Sequence, residues 1–184
     1  MSGEDDRARF DHVVLPHLED AYALARWLAG DRTDAEDICQ EACLRTFRAI
    51  GSFSGGSGSA RAWLLTIVRR TAYSWFEKNR LPAQIAIDDL NPGERALAER
   101  GGDRDALNTT TPEKELIAKA DAARLEAAIA ALPLEFRETF VLRDIQGLEY
   151  REIAEVTATP LGTVMSRLAR ARRRLTDTIG TVQR

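Results

Sequence analysis

Apolar residues along this chain recur every three or four positions, the spacing of one face of an α-helix. Leu15, Leu18, Tyr22, Ala25 and Leu28 predict a first helix, which Gly30 ends. Asp34 predicts the cap of a second, whose acidic first turn suits the helix dipole. The stripe of that helix runs through Ile38, Cys39, Ala42, Cys43, Phe47 and Ile50. Residues 53–59, F-S-G-G-S-G-S, have no period and predict a loop. A third helix follows, with Leu64, Ile67, Val68, Ala72, Trp75 and Phe76 on one face. Leu125, Ile129 and Leu132 predict a helix stopped by Pro133. Phe136, Phe140, Val141 and Ile145 predict the next, stopped by Gly147. No run alternates with the strand period.

Two helices close the chain. Residues 147–156, G-L-E-Y-R-E-I-A-E-V, read as a short one; residues 159–175 carry Leu161, Val164, Leu168, Ala171 and Leu175 on one face. Thr159 and Pro160 predict the start of the longer helix, a hydroxyl to cap and then a ring that needs no N–H. Only Thr157, Ala158 and Thr159 separate the two, the helix-turn-helix spacing that sets a recognition helix in the major groove.

Between the halves, over residues 81–112, the pattern dissolves into Pro82, Pro92, Gly93, Gly101, Gly102 and a polar run at 108–111. Ile85, Ala86, Ile87 and Leu90 predict a docking segment there, and 95–100 a short helix. A loop of this length is foreign to one compact domain. The expected fold is therefore all-α: a helical domain over 8–80, a flexible linker over 81–112, and a second helical domain over 113–180.

Charge divides the chain further. The net charge is −3, with 44% hydrophobic and 30% charged residues, which is the composition of a soluble globular protein. From Pro160 onward six arginines face one acid, Asp177. Arg61, Arg69, Arg70, Lys78 and Arg80 face only Glu77. Between Asp31 and Glu41 the sign reverses, with five acids against Arg32. Two basic stretches suit phosphate neutralisation, and the acidic one suits a different partner.

Several classes are excluded. No apolar run approaches the roughly 20 residues that span a membrane, and no signal peptide opens the chain, so a cytoplasmic protein without membrane insertion is expected. Cys39 and Cys43 cannot complete a four-coordinate metal site, and no metal or other cofactor is expected. They read as small residues on a buried stripe. His12 and His17 are the only histidines, and neither a nucleophile–base pairing nor a phosphate loop is present, so no enzyme is expected.

Three stretches together resemble the bacterial RNA polymerase sigma factors of the extracytoplasmic-function type, a branch of the sigma-70 family with only the sigma-2 and sigma-4 domains. D-A-E-D-I-C-Q-E-A-C-L-R-T-F-R-A-I (34–50) resembles the sigma-2 helix that grips core polymerase. S-F-S-G-G-S-G-S-A-R-A-W-L-L-T-I-V-R-R-T-A-Y-S-W (52–75) resembles the segment that opens and reads the −10 promoter element. A-L-P-L-E-F-R-E-T-F-V-L-R-D-I-Q-G-L-E-Y-R-E-I-A-E-V (131–156), with the helix after it, resembles sigma-4, which reads the −35 element.

The resemblance implies a role for each stretch. Asp34, Glu36, Asp37, Gln40, Glu41 and Leu44 are expected to meet a basic coiled-coil of the polymerase clamp; by themselves they also read as a solvated acidic face. Phe53, Ser54, Gly55, Gly56, Arg61, Arg69, Arg70 and Tyr73 are expected on −10 DNA, since a flipped base needs a pocket with stacking walls and nearby cations. Trp63 and Trp75 read as core. Leu161, Gly162, Thr163, Ser166, Arg167, Arg170, Arg173 and Arg174 are expected on −35 DNA, with Arg167 the candidate for a guanine edge. Arg172, Arg173 and Arg174 suit phosphate. Two departures from the family stand out: Arg70 where an asparagine is frequent, which leaves the base preference of the −10 pocket open and suits Arg70 to a phosphate, and Glu149 where Ser or Thr caps better.

The expected function is an alternative sigma factor with three partners: core RNA polymerase, promoter DNA and an anti-sigma factor. A dimeric helix-turn-helix regulator working without polymerase is one rival, though no dimer helix is evident. A sigma-like decoy that binds only protein is another, and it would not need a basic recognition helix.

Overall fold

The structure is a computed structural model that describes residues 3–55, 59–79 and 112–180. These residues form eight α-helices joined by turns, with no strand among them. The first unit holds α1 (Gly3–Val13), α2 (Leu18–Ala29), α3 (Arg32–Ala49) and α4 (Ser59–Asn79). The second holds α5 (Pro112–Ala130), α6 (Leu134–Phe140), α7 (Tyr150–Thr157) and α8 (Leu161–Gly180). The predicted docking segment at Ile85–Leu90, the short helix at 95–100 and nearly all of the linker lie outside the described residues, as does Gly56.

The helix starts differ from the expected ones in three places, each for a local reason. The first predicted helix is preceded by α1 and begins only at Leu18, because Pro16 sits in a separate 3₁₀ turn, Leu15–His17. Gly30 ends α2 as expected, at a φ of 85° that glycine adopts without strain. The second helix, α3, is capped by Asp31 and not Asp34: Asp31 Oδ1 accepts the Asp34 N–H at 2.9 Å. At α8 the Thr159 hydroxyl pairs with that of Thr157 at 2.7 Å, and the Pro160 carbonyl accepts the first helical N–H groups, from Thr163 and Val164.

Period and burial agree along most helices. Ala21, Leu24, Ala25 and Leu28 of α2 are buried, as are Leu64, Leu65, Val68 and Ala72 of α4. In α3 the buried row is Ala35, Ile38, Ala42 and Thr46, turned slightly from the predicted one. Cys39 and Cys43 are only half-buried, and Phe47 is 43% exposed. α6 runs on into a π-helical segment, Val141–Ile145, in which Gln146 N–H donates to Val141 O at 2.9 Å. Gly147 then turns the chain at a φ of 73°. Ile145, predicted on the buried stripe, is 43% exposed because the wider turn rotates it outward.

The two units pack together. α4 lies against α7 and α2 against α6, and buried side chains of both units join one apolar cluster. No described helix is long and apolar enough to cross a membrane.

Candidate nucleic-acid interface

The acidic row of α3 borders an apolar groove. Asp37 and Gln40 are exposed, Leu44 is 53% exposed, and Asp34, Glu36 and Glu41 are half-exposed. Two of the acids are already paired along the helix: Arg32 Nε donates to Glu36 at 2.7 Å and Arg45 Nε to Glu41 at 2.7 Å. The Arg45 contact holds the Glu41 carboxyl below its ordinary range, whereas burial and then Asp31 push Asp34 up. Beside this row lies a groove of about 670 Å³ lined by Phe10, Leu18, Tyr22, Cys39, Cys43 and Phe47, with Glu36, Gln40 and Leu44 also on its walls. Phe10 of α1 meets Phe47 edge-on at 5.5 Å between ring centres. The neighbouring thiols shift one another, Cys43 down and Cys39, with burial, up. Sequence reading missed the contribution of Phe10, since the one-turn apolar patch Phe10, Val13 and Val14 is too short to register as a period.

Ahead of α4, the Phe53 ring stacks on Trp63 at 4.7 Å between centres, tilted by 32°. Arg9 NH2 donates to the Phe53 carbonyl. A Cβ at Gly55 would collide with the Phe53 ring, so a larger residue there would push that ring from its place on Trp63. Ser54 and Gly55 are exposed. Trp63, expected in the core, is half-buried and forms the floor beneath Phe53.

The polar face of α4 is covered by the second unit. Arg61 Nε donates to Asp20 at 2.6 Å, and its NH2 donates to the Gln146 carbonyl at 2.7 Å. Gln146 Nε2 donates in turn to the Asp20 carbonyl at 2.7 Å. Further along, Arg69 Nε lies 3.0 Å from Glu138 Oε2, and the Tyr73 hydroxyl donates to the same oxygen at 2.8 Å. The Arg69 guanidinium also stacks over the Tyr73 ring at 4.5 Å. Glu138 is fully buried and its other oxygen, Oε1, has no hydrogen-bond partner. Burial pushes the Glu138 carboxyl up, with Arg69 and Tyr73 opposing. Burial also raises Tyr73, to about 12. Arg137, beside Glu138, donates to the Trp27 carbonyl of α2 at 3.3 Å. Of the cations and the tyrosine expected on −10 DNA, Arg70 is the exposed one, while Arg61, Arg69 and Tyr73 hold the second unit. Glu138, Gln146 and Asp20 were not singled out from sequence. α6 is buried on two faces, and a one-face periodicity reading does not register the second.

The helix-turn-helix forms with the expected three-residue turn, shifted by one to 158–160, and its first helix starts at Tyr150 and not at Gly147, whose positive φ places it in the preceding turn. Glu149 caps α7 with its backbone N–H donating to Glu152 at 2.7 Å. Ala158 ends α7 in the left-handed region at a φ of 52°. On α8, Val164, Leu168, Ala171 and Leu175 are buried against the unit. Gly162, Ser166, Arg170, Arg173 and Arg174 are exposed, Leu161 is 38% exposed, and Thr163 is half-buried. Arg167 sits at the border of the buried row, where its NH2 donates to Glu135 at 2.8 Å. Arg172 grips Asp144 through two bonds, of 2.6 and 3.3 Å. Arg174 stacks over Phe136 at 5.3 Å. Met165, not picked out from sequence, is 47% exposed in the first turns of the helix.

Comparisons with known proteins bear on both units. Residues 13–81 match the family described as Sigma-70 region 2, and residues 122–175 that described as Sigma-70, region 4. The chain is 33% identical over 171 residues to the RNA polymerase sigma-H factor of Pseudomonas aeruginosa, covering 91% of this chain and 84% of that protein. It is 35% identical over 170 residues to the ECF RNA polymerase sigma factor SigE of Mycolicibacterium smegmatis, covering 91% of this chain but 60% of that protein's length. Among solved structures, the sigma factor RpoE of Bartonella quintana, crystallised with the anti-sigma factor NepR, superimposes with a TM-score of 0.70. That match has 26% identity and covers 93% of this chain and 96% of RpoE. CnrH, solved with the cytosolic domain of CnrY, shares the fold at a TM-score of 0.60 and 22% identity, covering 94% of this chain and 88% of CnrH.

Proposed function

Because the chain belongs to the sigma-70 family, in its extracytoplasmic-function branch of alternative sigma factors, we propose that its three surfaces divide promoter recognition among them. The exposed row of α3 and the groove beside it dock on core RNA polymerase: acids for a basic partner, with Leu44 and Phe47 as apolar anchors. The Phe53–Trp63 stack, the turn through Ser54 and Gly55 and the cations of α4 take up the melted −10 strand. α8 reads the −35 element with its outward face. The protein works in the cytoplasm and has no catalytic chemistry of its own; polymerase supplies that.

The observation that carries this reading is the coexistence of the acidic α3 row and the basic outward face of α8 in two units of the matched families. A regulator acting alone would have no use for the α3 row. A decoy would have no use for Arg170, Arg173 and Arg174 at the solvent face of α8. In the packed arrangement Arg61, Arg69 and Tyr73 are engaged by the second unit, so −10 recognition requires those contacts to be released first. The crystallisation of RpoE with an anti-sigma factor supports such a partner for this chain, and one that gripped both units would hold them together.

Transcription in vitro with purified core polymerase and a promoter library tests the proposal. Promoter-specific transcripts that depend on both elements are expected. Their absence beside an active polymerase control would sink it.

A further inference from the structure

The outward face of α8 is not uniformly polar. Successive turns place Leu161, Met165 and Ala169 in one row, at intervals of four residues, and all three are exposed. A parallel row holds Gly162, Ser166 and Arg170. The apolar row is not a leftover of the core, since the buried row of the same helix is Val164, Leu168, Ala171 and Leu175. Met165, at 47% exposure, is among the most exposed large apolar side chains described, and it sits on the helix with the chain's densest cationic cluster.

An exposed thioether on a DNA-reading helix has a specific chemical complement. In the major groove, thymine alone of the four bases presents a methyl group, at C5. Methionine is unbranched and polarizable, so it can fit against a methyl without demanding one geometry. Arg170 and Arg173, exposed on the outward side of the helix, provide the phosphate attraction that would hold this row in the groove. Arg167 is tied to Glu135, which leaves Arg170 as the guanidinium in the reading rows.

We propose that Met165, with Leu161 one turn before it, reads the −35 element by contact with a thymine methyl, so that the element carries a required thymine beside the base gripped by Arg170. This rests on the assignment of α8 to the −35 element and adds the class of base that it selects.

Deoxyuridine isolates the effect, because it differs from thymidine only in lacking that methyl. Holoenzyme assembled from core polymerase and the full chain is assayed below saturation on a promoter recovered from the library. Each thymine of its −35 element, on either strand, is replaced in turn. One replacement is expected to lower transcription by about fourfold, the worth of one buried methyl group. Met165→Ala should lower transcription from the thymine promoter by a similar factor and remove the difference between thymine and uracil there. Met165→Leu should preserve it. Met165 is exposed, so these variants fold.

Other outcomes overturn the proposal in distinguishable ways. Uracil tolerated at every position, while scrambling the element abolishes transcription, rejects the methyl contact and leaves α8 as the −35 reader. Met165→Ala that weakens holoenzyme assembly, and depresses both promoters equally, makes the row a protein contact. Transcription indifferent to scrambling the −35 element removes both the assignment of α8 and the inference built on it.

Discussion

The two cationic helices, α4 with three arginines and α8 with five, use them differently. On α4 the second unit engages Arg61 and Arg69, at Gln146 and Glu138. On α8 the arginines that pair at all pair within their own unit, Arg167 with Glu135 and Arg172 with Asp144, and Arg170 and Arg173 face solvent. The difference teaches that a basic helix is not by itself an available DNA surface. On the proposed assignment α8 is presented ready to bind, whereas α4 is held in a contact that must first be broken.

The largest test of that contrast is Arg69→Ala. It leaves the fully buried Glu138 carboxylate without its cation, a change that costs about 3–5 kcal/mol when a buried pair is broken. In the separated form water solvates Glu138, so the variant should shift toward separated units. Small-angle scattering would register a larger radius of gyration, and the double variant Arg69→Ala with Glu138→Gln should close again. An unchanged radius in the single variant would show that the apolar contact of α4 with α7 suffices.

Arg170→Ala is the matching change on α8. It should weaken −35 recognition by about 1–3 kcal/mol while leaving the radius and core binding unaltered. Binding to matched and scrambled −35 duplexes measures it, and equal loss on both would make Arg170 a phosphate contact.

Acidity offers a milder handle. Burial raises the Glu138 pKa in the packed arrangement, so the packed form takes up a proton that the separated form does not. Lowering the pH through the range above the ordinary carboxylate pKa therefore favours packing, and the gain is lost as pH rises through the packed-state pKa. One proton contributes at most about 1.4 kcal/mol per pH unit. An interdomain fluorescence distance should shorten on acidification in the wild type and stay flat in Glu138→Gln. Lengthening instead would mean that the Arg69 attraction outweighs burial.

The smallest effect is expected from Arg167→Ala. Its guanidinium pairs with a half-exposed Glu135, an interaction worth about 0.2–1 kcal/mol. Thermal unfolding should register that loss, with −35 preference nearly unchanged. A loss as large as that of Arg170→Ala would show that DNA draws Arg167 away from Glu135.

Much of the fold and part of the candidate site were legible from the chain. The 3.6-residue period located α2 to α8 but not α1, because burying one face per helix leaves a local imprint and the apolar patch of α1 spans a single turn. The three-residue turn before α8 located the helix-turn-helix. Helix starts were less legible: Asp31 and Asp34 both carry a capping carboxylate, and the choice depends on where the chain leaves Gly30. The extra turn at Ile145 escaped because a π-helical segment breaks the period. Glu138 escaped because its burial arises from a second helix face that only the neighbouring unit covers.

The order of residues along the chain dictates which of them share a helix face, and so the acidic row of α3, the basic face of α8 and the glycine turn at Phe53. These follow from interactions between residues a few positions apart. Tertiary structure alone decided which partner each charged side chain found. Arg61 reaches Asp20 and Gln146, Tyr73 reaches Glu138, and Arg167 reaches Glu135 across separations of 41, 85, 65 and 32 residues. A helical period fixes the direction in which a side chain leaves its helix. What waits in that direction, a phosphate or a buried carboxylate, depends on how the apolar faces of the two units come together.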